Sequence, residues 1–158
     1  MNNLSSFESK AYKWMAKHGV MLLRISIGVV FFWFGIQKFF PGMSSAEDLA
    51  TRTIEVMTFG VIQQSLGMPL LAFWEVLIGI TFIFGIFMRI AIPLLFLQML
   101  GTVTPLFFFP SETFTSVPLI PNLVGQYIIK NIILISAGMV IGAYHFRLTI
   151  QRNGMEKK

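Results

Sequence analysis

The sequence predicts an all-α membrane protein: a four-transmembrane-helix antiparallel bundle with a short amphipathic helix in the first outer loop. Three observations carry this prediction. Of 158 residues, 55% are hydrophobic and 12% charged, and the mean hydropathy of +0.74 lies far from soluble globular chains. Four apolar stretches, at about 19–40, 70–87, 90–108 and 126–145, have the length a helix needs to cross a hydrocarbon core about 30 Å thick. Lys and Arg collect beside alternate stretch ends, which gives the bundle a sidedness.

Residues Met1 to His18 are basic, with Tyr12 and Trp14 interleaved, a pattern suited to a short helix at headgroup level. The first span follows and is read as retained, being too long for a signal-peptide core and lacking a small-residue cleavage site after Phe40. It stops at Pro41-Gly42, where proline removes a backbone donor. Within it, Arg24, Gly28, Phe31, Gly35 and Lys38 recur over two heptads and so share one face, with about 20° of drift per heptad. The two glycines admit a neighbouring backbone. Arg24 and Lys38 either look inward with that stripe or snorkel to the headgroups.

Ser44, Glu47 and Asp48 read as a helix start with a capping box. Ala50, Ile54, Met57 and Val61 then form an apolar face, with Thr51, Arg52, Glu55 and Thr58 opposite. This helix, about 45–59, is too polar to span and serves as a lid or collar. The second span is entered through Gly67-Met68-Pro69, with Pro69 in the first helical turn, and it carries Glu75 beside Trp74. Met88-Arg89 is a tight reversal. The third span holds Gln98, Thr102 and Thr104 between Pro93 and Pro105, and 109–125 reads as an irregular loop. The fourth carries Lys130 and Asn131 early and Gly138 and Gly142 later. Counting basic residues puts both termini on the cytoplasmic side.

The formal charge of +5 is explained by membrane flanks, and no nucleic-acid site is visible. Cysteine is absent, which excludes disulfides, thiolate metal sites and dithiol relays. No metal site, phosphate loop or catalytic triad is present as a motif. The lipid bilayer is the one certain partner.

Sidedness turns the scattered polar residues into depths. Lys38 ends the first span, Glu75 lies about 9 Å into the second, and Lys130 and Asn131 lie about 6–8 Å into the fourth, at 1.5 Å per residue. Gln37, Thr102 and Tyr127 fall at similar depth. An ionised Glu75 in hydrocarbon needs a cation, and Lys38 and Lys130 are the candidates. Two lysines on one acid leave a surplus positive charge which, beside Trp33, Phe34, Trp74 and Tyr127, suits an apolar ring bearing carbonyl oxygens or a small anion. Equally, Glu75 and one lysine form a structural pair fixing helix register, and Gln98 and Asn131 act as interhelical hydrogen-bond glue.

The runs RISIGVVFFWFGIQKFFPG, WEVLIGI, TPLFFFP and QYIIKNIILISAGMVI resemble the DoxX-like superfamily, especially its YkgB-like inner-membrane branch, from Arg24 to Tyr144. Gly35-x-x-Lys38-Phe39, Glu75 and Lys130-Asn131 are the most specific parts. The resemblance implies a bacterial inner-membrane protein of one domain over residues 1–158. Some relatives are membrane subunits of thiosulfate:quinone oxidoreductase or other redox complexes, and others are maturation, assembly or cargo factors. The expectation is a quinone-binding oxidoreductase subunit receiving electrons from a redox partner protein. Glu75, Lys38 and Lys130 act on the quinone, and Trp33, Gln37, Trp74, Gln98, Thr102, Tyr127 and Asn131 surround it. The alternative is a non-enzymatic membrane assembly or interaction factor; a small-molecule carrier ranks last, since no inverted repeat is visible.

Overall fold

The computed structural model describes residues 6–44 and 46–155. Residues 1–5, Ser45 and the terminal Lys157 and Lys158 of the basic tail lie outside the described residues. Four helices are long and apolar enough to cross a membrane, spanning Ser6–Gln37, Gln64–Phe84, Met88–Phe108 and Leu123–Arg147. This is a multi-span membrane protein of the expected class.

Helix α1 runs unbroken over Ser6–Gln37. The expected separate headgroup helix is therefore the first part of one 32-residue rod about 48 Å long, more than a bilayer core requires. It ends three residues before Phe40, in a turn closed by Lys38, Phe39 and Phe40 amides donating to the carbonyls of Gly35, Ile36 and Gln37. Helix α2 (Glu47–Met57) has Ala46 as its N-cap with no side-chain cap bond. The expected capping box does not form, because the Glu47 carboxylate instead accepts from the Gly42 amide at 2.9 Å, tying the helix to the preceding turn.

Helix α3 (Gln64–Phe84) begins six residues before the expected start, with Pro69 inside it rather than in its first turn. Its end is closed by Gly85 at φ +69°, whose amide donates to the Thr81 carbonyl at 2.9 Å, a left-handed closure that glycine accepts without a Cβ clash. After the reversal, the third span consists of α4 (Met88–Val103) and α5 (Pro105–Phe108), separated where Pro105 starts a new first turn. The region expected to be irregular holds a helical turn, α6 (Pro110–Thr113), and a small antiparallel ribbon of β1 (Phe114–Ser116) and β2 (Ile120–Pro121). The fourth span is also divided, into α7 (Leu123–Lys130) and α8 (Ile132–Met155). Asn122 caps α7 by accepting from the Gly125 amide at 3.1 Å, so this span begins before Gln126.

Within the bundle α1 lies most closely on α3, and α3 on α4, α4 on α8 and α8 on α1 close the ring. Lipid tails are as apolar as leucine, so close packing rather than water exclusion holds such helices together. The glycine stripe supplies the close packing. A Cβ on Gly28 would lie 2.7 Å from the Ile83 amide nitrogen, one on Gly35 2.8 Å from that of Val76, and one on Gly79 2.5 Å from that of Phe32. Below this seam sits the core, with Ile27 and Phe31 from α1, Ile78 and Phe82 from α3, Leu95 and Met99 from α4, and Ile141 from α8.

Candidate functional site

The stripe ends where α1 meets α3. Arg24 does not snorkel: its Nη1 donates to the carbonyls of Phe82 and Ile83 and so caps the end of α3. At the other end Lys38 Nζ lies 2.6 Å from Glu75 Oε2 and also reaches the Phe34 carbonyl at 3.4 Å. The other carboxylate oxygen accepts from Gln98 Nε2 at 3.0 Å. Since α3 starts at Gln64 and not Leu70, Glu75 stands about 16 Å along its helix and not about 9 Å, with the first turns lying against α2. An acid at that depth needs its charge balanced and its lone pairs occupied. The chain does both, with one residue from the turn just past α1 and one from α4.

Gln98 joins this triplet to a cavity of about 810 Å³, within the range of small-molecule sites. Its lining comes from α2 (Leu49, Thr53, Ile54, Met57), α4 (Gln98, Gly101, Thr102), α7 (Leu123, Tyr127, Ile128) and Asn131, with Phe34 and Leu71 from the first two spans. The wall is mainly apolar with a few polar groups. Asn131 Nδ2 donates to Thr102 Oγ1 at 3.4 Å, and Thr102 in turn to the Met99 carbonyl at 3.0 Å.

The lid is α2, and three residues of its expected apolar face, Ala50, Ile54 and Met57, line the cavity. Leu49, Thr51 and Thr53 are its buried residues, while Val61 lies beyond the helix and is 82% exposed. Threonines turn inward because each hydroxyl is satisfied within its own helix, Thr53 by the Leu49 carbonyl at 2.6 Å and Thr51 by those of Glu47 and Asp48. On its outer side Arg52 makes a two-pronged bond to Glu112, at 2.9 and 2.6 Å. It also donates from Nε to Asp48 at 2.9 Å and lies 4.9 Å from the centre of the Phe109 ring. These bonds hold Glu112 below the usual carboxylate range, chiefly through the hydrogen bond from Arg52, and raise Arg52 in turn, with Glu112 the leading cause.

The sequence-predicted residues thus divide. Lys38, Glu75 and Gln98 are joined directly, and Gln98, Thr102, Tyr127 and Asn131 line one cavity. Lys130 is a correction: it is exposed, bonds no acid among the described residues, and lies 5.1 Å from the Tyr127 ring centre. The surplus positive charge expected at Glu75 is therefore absent, and the triplet is one cation against one anion. Trp33 is 64% exposed and, like Gln37, does not line the cavity. Trp74 is packed against the core, with its indole nitrogen buried and without a hydrogen-bond partner. The lid residues Leu49, Thr53, Ile54 and Met57 were not foreseen as site residues, although their i, i+4, i+5 and i+8 spacing marks one helical face.

Comparison with known proteins gives one match: residues 19–111 fit the family model described as DoxX. No curated protein and no solved structure matches the chain.

Proposed function

The chain belongs to the DoxX family, and from that premise we propose that it is a quinone-binding membrane subunit of an oxidoreductase complex, with the site beneath α2. The observation that carries this reading is Gln98, which lines a large apolar cavity and is hydrogen-bonded to the paired Glu75. A ring with two carbonyl oxygens and an apolar tail suits such a wall: it needs few donors, much apolar surface and no net charge. When bound, a quinone supplies two-electron redox chemistry, with electrons coming from a partner protein. The chain's own residues do the rest. Gln98, Thr102, Tyr127 and Asn131 orient the oxygens, and the Glu75 carboxylate, paired with Lys38, is the base behind Gln98 that takes up a proton given up by the reduced ring. Lys38 and Lys130 do not hold the oxygens themselves in this reading, since one is committed to Glu75 and the other faces away.

Sequence motifs alone support the finer placement in a YkgB-like branch of a bacterial inner membrane, and the distribution of basic residues supports cytoplasmic termini. A second reading, a non-enzymatic assembly factor, is favoured by the exposed apolar tips on the lid side: Phe59 is 97% and Leu119 83% exposed. The two are separated by purifying the protein in mild detergent and extracting what it carries. The quinone reading expects ultraviolet-absorbing quinone in near-equal amount to protein, reduced several-fold in Gln98→Leu. Quinone no richer than in the surrounding lipid, or unchanged in the variant, refutes it.

A further inference from the structure

At the opposite end of the bundle, where α3 turns into α4, is a second cavity of about 280 Å³, unconnected with the reading above. Its polar lining is Arg24, Tyr144 and His145, and its apolar wall includes Val20, Met21 and Phe84. Arg24 commits Nη1 to the two α3 carbonyls. A guanidinium has five N–H donors in a planar fork, and Nε and Nη2 have no partner among the described residues. The fork lies across Gly85, where an added Cβ would come within 2.8 Å of Cζ, so the turn is shaped around it. The His145 imidazole likewise has no hydrogen-bond partner among the described residues. Lys10, Lys13, Lys17, Arg89 and Arg147 flank the same end of the bundle, where Glu8 is the sole acid among the described residues.

A helix-capping arginine needs neither a cavity nor an imidazole beside it. Donors left over after capping, set at the rim of an apolar wall, match a tetrahedral oxyanion attached to something greasy. We propose that this cavity binds the phosphodiester of an anionic glycerophospholipid. Arg24 forks two phosphate oxygens, His145 and Tyr144 donate to the others, and Val20, Met21 and Phe84 receive the start of an acyl chain. The same donors would accept inorganic phosphate, so the test separates the two sources.

The protein is reconstituted into nanodiscs of equal phosphatidylglycerol and phosphatidylcholine, released, and its retained lipids counted by native mass spectrometry, with and without millimolar inorganic phosphate. Both lipids carry the phosphodiester, but the choline cation is disfavoured beside the basic flank, so the expected result is a clear preference for phosphatidylglycerol that phosphate does not displace. In His145→Leu and Arg24→Lys the preference should drop about tenfold, the scale of one charge-assisted hydrogen bond, with circular dichroism unchanged. Displacement by inorganic phosphate would assign the site to the free anion instead of the lipid. Equal retention of the two lipids, or a preference that survives His145→Leu, overturns the proposal; that variant leaves the α3 cap intact, so misfolding of Arg24→Lys does not shelter it.

Discussion

Cutting the Lys38–Glu75 pair from either side should be unequal in cost, and the inequality follows from where each residue sits. Lys38 lies just past the last residue of α1 on a long flexible stem, its side chain 15% exposed; Glu75 is held inside α3 and is 9% exposed. With Glu75→Gln the amide can keep the Gln98 bond, and the freed amine can swing to the headgroups, so the expected cost is about 1 kcal/mol, one net hydrogen bond. With Lys38→Met the carboxylate has nowhere to go. It keeps one neutral donor at a depth where ions are expensive, and the cost approaches the lower end of that for breaking a buried pair, about 3 kcal/mol. The double variant leaves no charge behind. Its cost should be about 2 kcal/mol rather than the roughly 4 kcal/mol expected of independent sites. The assay is reversible unfolding in mixed micelles, titrating a denaturing into a mild detergent and following helical circular dichroism. Additive costs, or a costlier Glu75→Gln than Lys38→Met, would refute the claim that Glu75 is the trapped partner.

Two further outcomes can be checked. Gly101 lines the lidded cavity and a Cβ there would meet nothing within 4 Å; Gly101→Leu should fold at least as well, gaining about 0.5–1 kcal/mol of helix propensity, while filling the cavity and lowering retained quinone several-fold, so unchanged retention counts against the site. The Arg52–Glu112 link gives a pH dependence with a definite sign. Because Glu112 titrates lower folded than unfolded, its contribution is present above the ordinary carboxylate value and disappears as pH falls through the lowered one. The protection factors of amides in 47–57, with the intrinsic pH dependence of exchange divided out, should therefore fall in acid and stay constant from neutral upward; Glu112→Gln should abolish that dependence, and an unchanged profile would break the assignment.

How much of the site was legible turns on one rule and one gap. The rule is that an apolar medium tolerates an ion only with its opposite. Given four spans and one intramembrane acid, a lysine partner follows, but the sequence leaves Lys38 and Lys130 both open. The gap is azimuth. Leu123, Val124, Tyr127, Ile128 and Asn131 line the cavity at i, i+1, i+4, i+5 and i+8, which is one face of α7, and Lys130 falls off that face although it lies at the same depth. Depth alone therefore grouped residues that point different ways. The apolar stripe marks α2 as a lid, but periodicity reads threonine as polar surface, whereas a hydroxyl donating to a carbonyl of its own helix can face inward. The breaks at Asn131 and Thr104 were hidden because both flanking stretches are equally apolar, and hydropathy does not register a local change in helical winding.

The one-to-one match of Lys38 with Glu75 bears on energetics beyond the pocket itself. Among the described residues no charged side chain lines the cavity, the Lys38–Glu75 pair behind Gln98 sums to zero, and on the quinone reading a neutral guest would carry no charge through the transmembrane field. On that reading, loading and unloading would be indifferent to voltage. Only a step that moves a proton onto Glu75 or back off it would feel the potential.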